Sequence, residues 1–305
     1  MIRPPFPTVI DSSLISAFRS CPRKAFLGYF QHWKHGTESV HLIAGKAFAS
    51  GVEAARRAFY IDGHPAEDAQ ALGLAALWQE YGEYTEPPDS PKGPLRMAGA
   101  LEFYFTSYPL GADGARPHIF PGKSHGIEFS FAQPFPSLHP ETGDPLIFVG
   151  RADMAADAFG GVFLYDEKTA SQLGASWLNQ WEHRSQFTSY TWGFRSAGFK
   201  PTGVVVRGVS ILKSGYGTMQ AITYRSNWEI DRWLEQTRRD VERMKLAWSE
   251  GYWDYNLDHA CNEYGGCGFR IVCKSPEPEK WLPIYFTRRA WDPVNRTETK
   301  FEEKP

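Results

Sequence analysis

No apolar run in this sequence reaches the roughly 20 residues that a helix needs to cross a bilayer, so no membrane role is expected. The first residues, Met1 to Pro7, hold three prolines and an arginine and no apolar stretch of the kind that opens a secretory signal. The expected location is cytoplasmic. Charge of one sign is also missing. Lys and Arg number 33 against 35 Asp and Glu, a net charge of −2, so any nucleic-acid surface has to come from local clustering rather than from the whole chain. Cysteine is scarce, with four in 305 residues, which excludes a disulfide-built scaffold. No internal repeat or low-complexity tract stands out. What remains is an ordinary globular composition with a high aromatic share, 11 Trp and 14 Tyr among them, and enough chain for one large domain or two smaller ones.

The order of the periodic segments predicts a mixed α/β protein. Asp11, Ser12 and Ser13 read as a helix cap, and Pro22 favours the first turn of a second helix running through Phe30. Helical spacing over 41–60 puts Leu42, Phe48, Val52, Ala55 and Phe59 on one side. Further helices are predicted over 65–82 and 95–107, separated by the loop-forming run Glu86 to Pro94. From about residue 118 the period changes. Residues 126–132 alternate like a half-buried strand carrying Glu128, and 202–213 with 219–224 read as a strand pair across Gly215 and Gly217. Between them a single long helix is predicted over 175–197, with Gln186 and Tyr190 four apart and so on one face; Trp177, Trp181 and Phe194 on it are expected to pack. A charged amphipathic helix follows over 228–249, and the tail beyond Lys274 is expected to be extended.

The stretch Gly150 to Thr169 carries the densest chemistry. Two apolar-rich runs flank Ala158, Phe159, Gly160 and Gly161, a hairpin signal. If Asp157 pairs with Val162, Asp153 lies opposite Asp166. Lys168 then shares the Asp166 face, and Glu167 points the other way. Facing carboxylates repel across a ladder, so a cation is expected between them; a register slip of one residue would give that role to Glu167 instead. The cysteines are as unevenly placed: Cys261, Cys267 and Cys273 fall within thirteen residues and Cys21 stands 240 positions upstream. In a cytosolic chain such a set points to metal ligation ahead of disulfides.

Taken together, Gly150-Arg151-Ala152-Asp153, the Asp166-Glu167-Lys168-Thr169 run and the Gln186 to Tyr190 helix segment resemble the PD-(D/E)XK nucleases of the RecB type, with Glu128 where such chains often place a Glu ahead of the hairpin. The Cys21-Pro22 junction and the three late cysteines are similar to the subset that holds an iron–sulfur cluster, the AddB nuclease domain and the CRISPR-associated nucleases. The resemblance runs from about residue 11 to 275. It implies a restriction-endonuclease-like mixed sheet flanked by helices, with an N-terminal helical region over 11–115, a nuclease core over 116–250, a cysteine segment over 251–280 that packs with Cys21 and joins the chain ends, and a tail over 281–305.

The same resemblance implies a catalytic set of Glu128, Asp153, Asp166, Lys168, Gln186 and Tyr190. Asp153 and Asp166 would hold Mg²⁺ or Mn²⁺, and Cys21, Cys261, Cys267 and Cys273 would hold a [4Fe–4S] cluster, with zinc as the alternative. Two departures stand out. Ala49 occupies the place where many relatives carry a histidine ligand, and the late cysteines are spaced more widely than is usual in that subset. The implied activity is cleavage of DNA with free ends or single-stranded DNA, in recombination, repair or end processing, with a recombination or helicase protein as a partner. Arg184, Arg195, Lys200 and Arg207 are the local cations available to the phosphates. The competing function is a catalytically inactive DNA-binding or scaffold protein on the same fold.

Overall fold

The computed structural model describes residues 3–35, 40–82, 92–257, 259–262 and 266–295, and the backbone of 297–300. In chain order these form β1 (Val9–Asp11), α1 (Ser12–Ser20), α2 (Pro22–Ala25) continued by a π-helical turn (Phe26–Phe30), β2 (Trp33–His35), α3 (Val40–Tyr60), α4 (Ala66–Tyr81), α5 (Pro94–Ser107), β3 (Arg116–Pro117), β4 (Ile127–Leu138), β5 (Pro145–Ala158), β6 (Gly161–Ala170), α6 (Ala175–Asn179), α7 (Ser185–Ser196), β7 (Gly203–Ile211), β8 (Tyr216–Thr223), α8 (Asn227–Glu250), α9 (Arg270–Cys273), α10 (Pro278–Tyr285), β9 (Phe286–Asp292) and β10 (Thr297–Lys300). The chain divides into two units, one of residues 38–130 and 151–226 and one of residues 1–37, 131–150 and 227–305. The expected loop from Glu86 falls largely on 83–91, outside the described residues.

In the first of these units the end of β5 runs antiparallel to β6, β6 runs parallel to β7, and β7 is antiparallel to β8. This is the expected mixed sheet, and helices cover both faces. On one face α3, α4 and α5 pack Phe48, Val52, Leu77, Met97, Leu101 and Tyr104 against Val209 and Ile211 of β7. On the other, Trp177 of α6 lies so close to Gly208 that a Cβ there would meet its ring at 2.4 Å. Side chains alternate along a strand. In the β6–β7 register Asp166 lies beside Val206, Glu167 beside Arg207 and Lys168 beside Gly208. Asp166 and Lys168 therefore share the Gly208 face, towards α6 and α7, and Glu167 shares the face covered by α3 and α5. Leu42, expected on the packed side of α3, is 66% exposed: it sits in the first turn, ahead of the stretch from Ala44 onward that meets α4 and α5.

The helix predicted over 175–197 is two helices with a turn between them. The buried guanidinium of Arg225 sits at the break. Its Nη2 donates to the carbonyls of Trp181 (2.9 Å) and Arg184 (3.4 Å), and its Nε to Thr188 Oγ1 (2.8 Å). The Trp181 carbonyl carries a tight-turn bond from Arg184 N (3.3 Å) and the Arg184 carbonyl opens the ladder of α7 by accepting from Thr188 N (3.4 Å), so the guanidinium bridges the turn, and a lone arginine 41 residues on gives no sign of it in the sequence pattern.

In the other unit β1 runs parallel to the start of β5, α8 contributes Trp233 and Trp248 to an aromatic core with Phe148 and Phe6, and Arg19 pairs with the buried Asp240 at 2.6 Å. The tail is not simply extended. It forms α10 and then β9, which pairs antiparallel with both β2 and β10, and Leu282 and Phe286 bury against Leu27 and Val272. Residues 301–305 lie outside the described residues. No helix among the described residues is long and apolar enough to cross a membrane.

Candidate active site

The hairpin that presents the acidic residues turns on Phe159 and Gly160, both left-handed (φ 51° and 76°), the backbone of a two-residue turn whose twist matches that of its strands. Ala158 pairs with Gly161, Asp157 with Val162, and the ladder continues to Met154 opposite Tyr165. That is the register expected from the sequence, but the loop is two residues shorter. Beyond Met154 the pattern changes. The Glu167 N–H donates to the Asp153 carboxylate, Oδ2 at 2.8 Å, so the Asp153 side chain takes up the next main-chain donor of β6.

This placement sets Asp153 between the residues of both faces. Its carboxyl is pushed well above the usual carboxylate range, first by burial and then by the charges of Asp166 and Glu167. Glu167 goes the other way. Burial pushes its carboxyl up, but the Arg56 guanidinium, in contact with Oε1, outweighs that and holds it below its ordinary value, and a side-chain hydrogen bond to Asp153 contributes. Of the two carboxyls, Asp153 is the one whose ionisation burial and neighbouring charge oppose. Glu167 points the other way, as expected, its side chain leaving on the far face to Arg56 and Tyr104, while its main-chain N–H joins it to Asp153.

Asp166 is 2% exposed. Oδ1 contacts Lys168 Nζ, and Oδ2 accepts from Gln186 Nε2 at 3.2 Å. The same amide nitrogen lies 2.7 Å from the Tyr190 hydroxyl, so the i and i+4 positions of α7 act as one bracket. Burial raises Asp166, with Lys168 opposing. Burial would lower Lys168, but Asp166 and then Asp153 raise it on balance, which keeps Nζ a protonated donor. Tyr190 is driven well above its ordinary value by burial and then by the two aspartates; it remains a phenol. Glu128 stands further out. Its backbone is left-handed (φ 54°), a cost for a non-glycine residue, and its carboxylate pairs with Arg151 Nε at 2.7 Å while still raising Asp153.

Behind the strand lies a group that the sequence does not advertise. Arg56 of α3 and Tyr104 of α5 both reach Glu167 Oε1, the tyrosine at 3.0 Å. Arg207, 2% exposed, ties to Asp113 at 2.7 Å and to Gln220 at 3.1 Å, with its guanidinium over the Tyr108 ring. Arg207 is therefore a buried structural cation, not a surface contact for phosphate. Of the other expected cations, Arg184 and Lys200 are exposed and Arg195 is half-buried. Arg184 is near enough to Asp166 for its charge to lower that carboxyl.

All four cysteines are free and line one small cavity together with Tyr255, Asn256 and Phe269. The Cys273 thiol is pushed up to about 11 by burial, then by Cys267, with Cys21 and Cys261 adding. Among the described residues no group of three or more His, Cys, Asp or Glu side chains is arranged to hold a metal ion as it stands. The donor chemistry is nonetheless distinct at the two places. Asp153 and Asp166 are a hard oxygen pair, and Mg²⁺ is commonly held by one or two carboxylates with water completing its shell. The cysteines are a soft set suited to iron–sulfur or zinc; they share a cavity without closing into a ligand cage.

Two solved structures resemble the chain only loosely. An inferred exonuclease from Eubacterium rectale is 12% identical over 83% of this chain and 87% of its own, with a TM-score of 0.48. The protein SSO0001 is 17% identical over 62% and 73%, with a TM-score of 0.29. No curated protein matches. A family model, in contrast, spans residues 12–274, which takes in Cys21, the hairpin, the Gln186–Tyr190 bracket and the late cysteines. By that match the chain belongs to the PD-(D/E)XK nuclease superfamily.

Proposed function

We propose that the protein is a divalent-metal-dependent DNA nuclease that degrades DNA from free ends, serving recombination, repair or end processing. The observation that carries this reading is the buried pair Asp153 and Asp166 with Lys168 in contact with Asp166. Two buried carboxyls, both raised by burial and Asp153 also by the charge of Asp166, form a poor resting arrangement and a good receptor for a hard cation, Mg²⁺ or Mn²⁺. Such an ion, when bound, neutralises charge on a phosphate and lowers the pKa of its water. Binding would need both carboxylates ionised, and burial and the charge of Asp166 oppose the ionisation of Asp153, so affinity should rise with pH.

The remaining steps belong to the chain. Lys168, kept protonated by the aspartates, offers N–H donors to the phosphate oxygens where negative charge develops; it holds its proton and is not the base. Gln186 fixes Asp166 Oδ2 and the Tyr190 hydroxyl through one amide, so the carboxylate keeps a single orientation as the cation enters. Arg184, exposed beside Asp166, serves as the first contact for the substrate backbone. Glu128, tied to Arg151, is an outer member that tunes Asp153. The four cysteines, in this reading, would hold a structural iron–sulfur cluster, or zinc; the cavity they share supports that assignment.

The test is cleavage of end-labelled linear DNA and of a closed circle of the same sequence, with Mg²⁺ or Mn²⁺ added. Linear DNA should be lost and the circle spared. Asp166→Ala should abolish cleavage while leaving the fold intact, and Lys168→Ala should cut turnover with metal binding largely kept. Undiminished cleavage by Asp166→Ala in a clean preparation would sink the assignment. Binding without cleavage in the parent protein would favour the scaffold reading, towards which Ala49 points.

A further inference from the structure

Away from the acidic hairpin, the unit that contains β2 and β9 holds a cleft of ≈ 510 Å³ whose lining includes Arg3, Gln31, His32, Trp33 and Arg288. The walls are fixed by the backbone. His32 adopts a left-handed conformation (φ 62°), its carbonyl accepts from Arg289 N at 2.8 Å, and Trp33 sits in β2 opposite Arg288 of β9. Both guanidiniums are oriented before any ligand arrives. Arg3 stacks over Trp248 at 4.6 Å and donates to the Ser249 carbonyl at 2.8 Å, and Arg288 lies 5.8 Å from the Trp33 ring with Nε on the Gln31 carbonyl at 3.2 Å. Guanidinium carries five N–H donors in a planar fork that matches phosphate, and one bond to a carbonyl orients Arg3 without exhausting it.

Two further observations define the ligand. Two guanidiniums, Arg3 and Arg288, line the cleft and make it locally positive in a chain whose net charge is −2. The Gln31 side-chain oxygen is buried and has no hydrogen-bond partner among the described residues, which leaves an acceptor for an N–H of the ligand. Positive charge, a half-exposed indole and a lone amide acceptor suit a flat N–H-bearing ring with an attached phosphate. A lipid headgroup or an acidic peptide would use the charge and leave the ring and the acceptor idle.

We propose that this cleft binds a nucleotide unit of single-stranded nucleic acid, with its base against Trp33 and its phosphates on Arg3 and Arg288. It would be a holding site for the strand, separate in sequence from the carboxylate pair, and it rests on the nuclease reading only for the expectation that the polymer is DNA.

The experiment uses the full chain in EDTA, so that binding is read without cleavage, with a fluorescent oligothymidylate of about ten nucleotides and anisotropy as the signal. Base–aromatic stacking supports a fall of roughly tenfold in affinity for Trp33→Ala, with Trp33→Phe keeping most of it as a check against misfolding. Arg288→Glu, on an exposed strand position, should weaken binding and flatten the log–log salt slope by about 0.7 for each phosphate that is no longer neutralised. Thymidine monophosphate should compete only far above the oligonucleotide concentration; equal potency would replace the strand with a free nucleotide as the occupant. Unchanged affinity and salt slope in both Arg288→Glu and Trp33→Ala, with parental melting, would overturn the proposal. Cleavage by the same proteins in Mg²⁺ separates the two ideas. Cleavage with unaltered binding defeats the cleft alone, and altered binding with no cleavage by any variant defeats the nuclease reading alone.

Discussion

Arg56 lies in a helix that the sequence marks only as packing, yet it bears on the acidic hairpin more directly than any other residue of the N-terminal helices. Its side chain is 4% exposed and that of its partner Glu167 is 1% exposed. Arg56→Met keeps the length of the side chain and removes the charge. Glu167 is then a buried carboxylate left with the Tyr104 hydroxyl and the charge of Arg207. Breaking a buried ion pair by removing one partner costs about 3–5 kcal/mol. At roughly 2–4 °C per kcal/mol for a chain of this size class, the melting temperature should fall by on the order of 10 °C.

The pH dependence has a definite sign. In the parent, Glu167 is depressed below its unfolded value, so its stabilisation is present above the unfolded carboxyl pKa and is lost as pH falls through the folded one. In Arg56→Met the largest lowering influence is gone, burial is opposed only by weaker ones, Arg207 first among them, and Glu167 rises. The deficit is then largest at neutral pH and shrinks as acid protonates the carboxyl. Arg56→Met combined with Glu167→Gln should recover most of the lost stability at pH 7, because a neutral amide still accepts from Tyr104 and no buried charge is left over. Differential scanning calorimetry of the four proteins of this cycle at pH 5 and pH 7.5 provides the measurement. An unchanged melting temperature in Arg56→Met, or a double variant no better than the single, would refute the reasoning.

Two further outcomes follow from the same electrostatics. Asp153 is raised by burial and by Asp166, so the stability its protonated form contributes is complete below the unfolded pKa and is lost as pH rises through the folded one. Asp153→Asn cannot ionise and should therefore melt above the parent in EDTA at pH 8, with the two curves converging near pH 4; Mg²⁺ should raise the parent's melting temperature and leave the variant's unmoved. Cys21→Ser should lower the melting temperature and release bound iron or zinc from anaerobically purified protein while Asp166→Ala retains both, and an unchanged metal content in Cys21→Ser would remove Cys21 from the site.

The legible parts of this protein are those set by local periodicity. The hairpin register follows from alternation about a short glycine-bearing turn, and it alone is enough to bring Asp153 and Asp166 to the same end of the ladder. The helical face bearing Gln186 and Tyr190 follows from a spacing of four. What is not legible depends on single long-range contacts. Arg225 bridges the turn between two helices by bonding carbonyls up to 44 residues upstream, and Arg207, which by composition is one more cation for phosphate, is consumed by Asp113 and Gln220. Neither has a period to read. The tail departs from its expected extended form for a related reason. Leu282 and Phe286 are too few for a pattern, and they bury because Leu27 and Val272 happen to face them.

The role of Glu167 shows how far a motif can be pressed. Read as Asp-x-Lys, the run Asp166 to Lys168 leaves its middle residue undefined, and strand alternation sends that residue away from the cation. Alternation is correct for the side chain, which meets Arg56 and Tyr104 on the far face. It says nothing of the main chain, and the Glu167 N–H is the donor that Asp153 Oδ2 accepts. Any shift of β6 that the Arg56–Glu167 pair permits is thus passed to Asp153 through one hydrogen bond of 2.8 Å. A carboxylate that must hold a cation in fixed geometry tolerates little such movement. On the proposed cation-binding role, the buried pair behind the strand acts as the anchor that keeps the carboxyls in front of it in register.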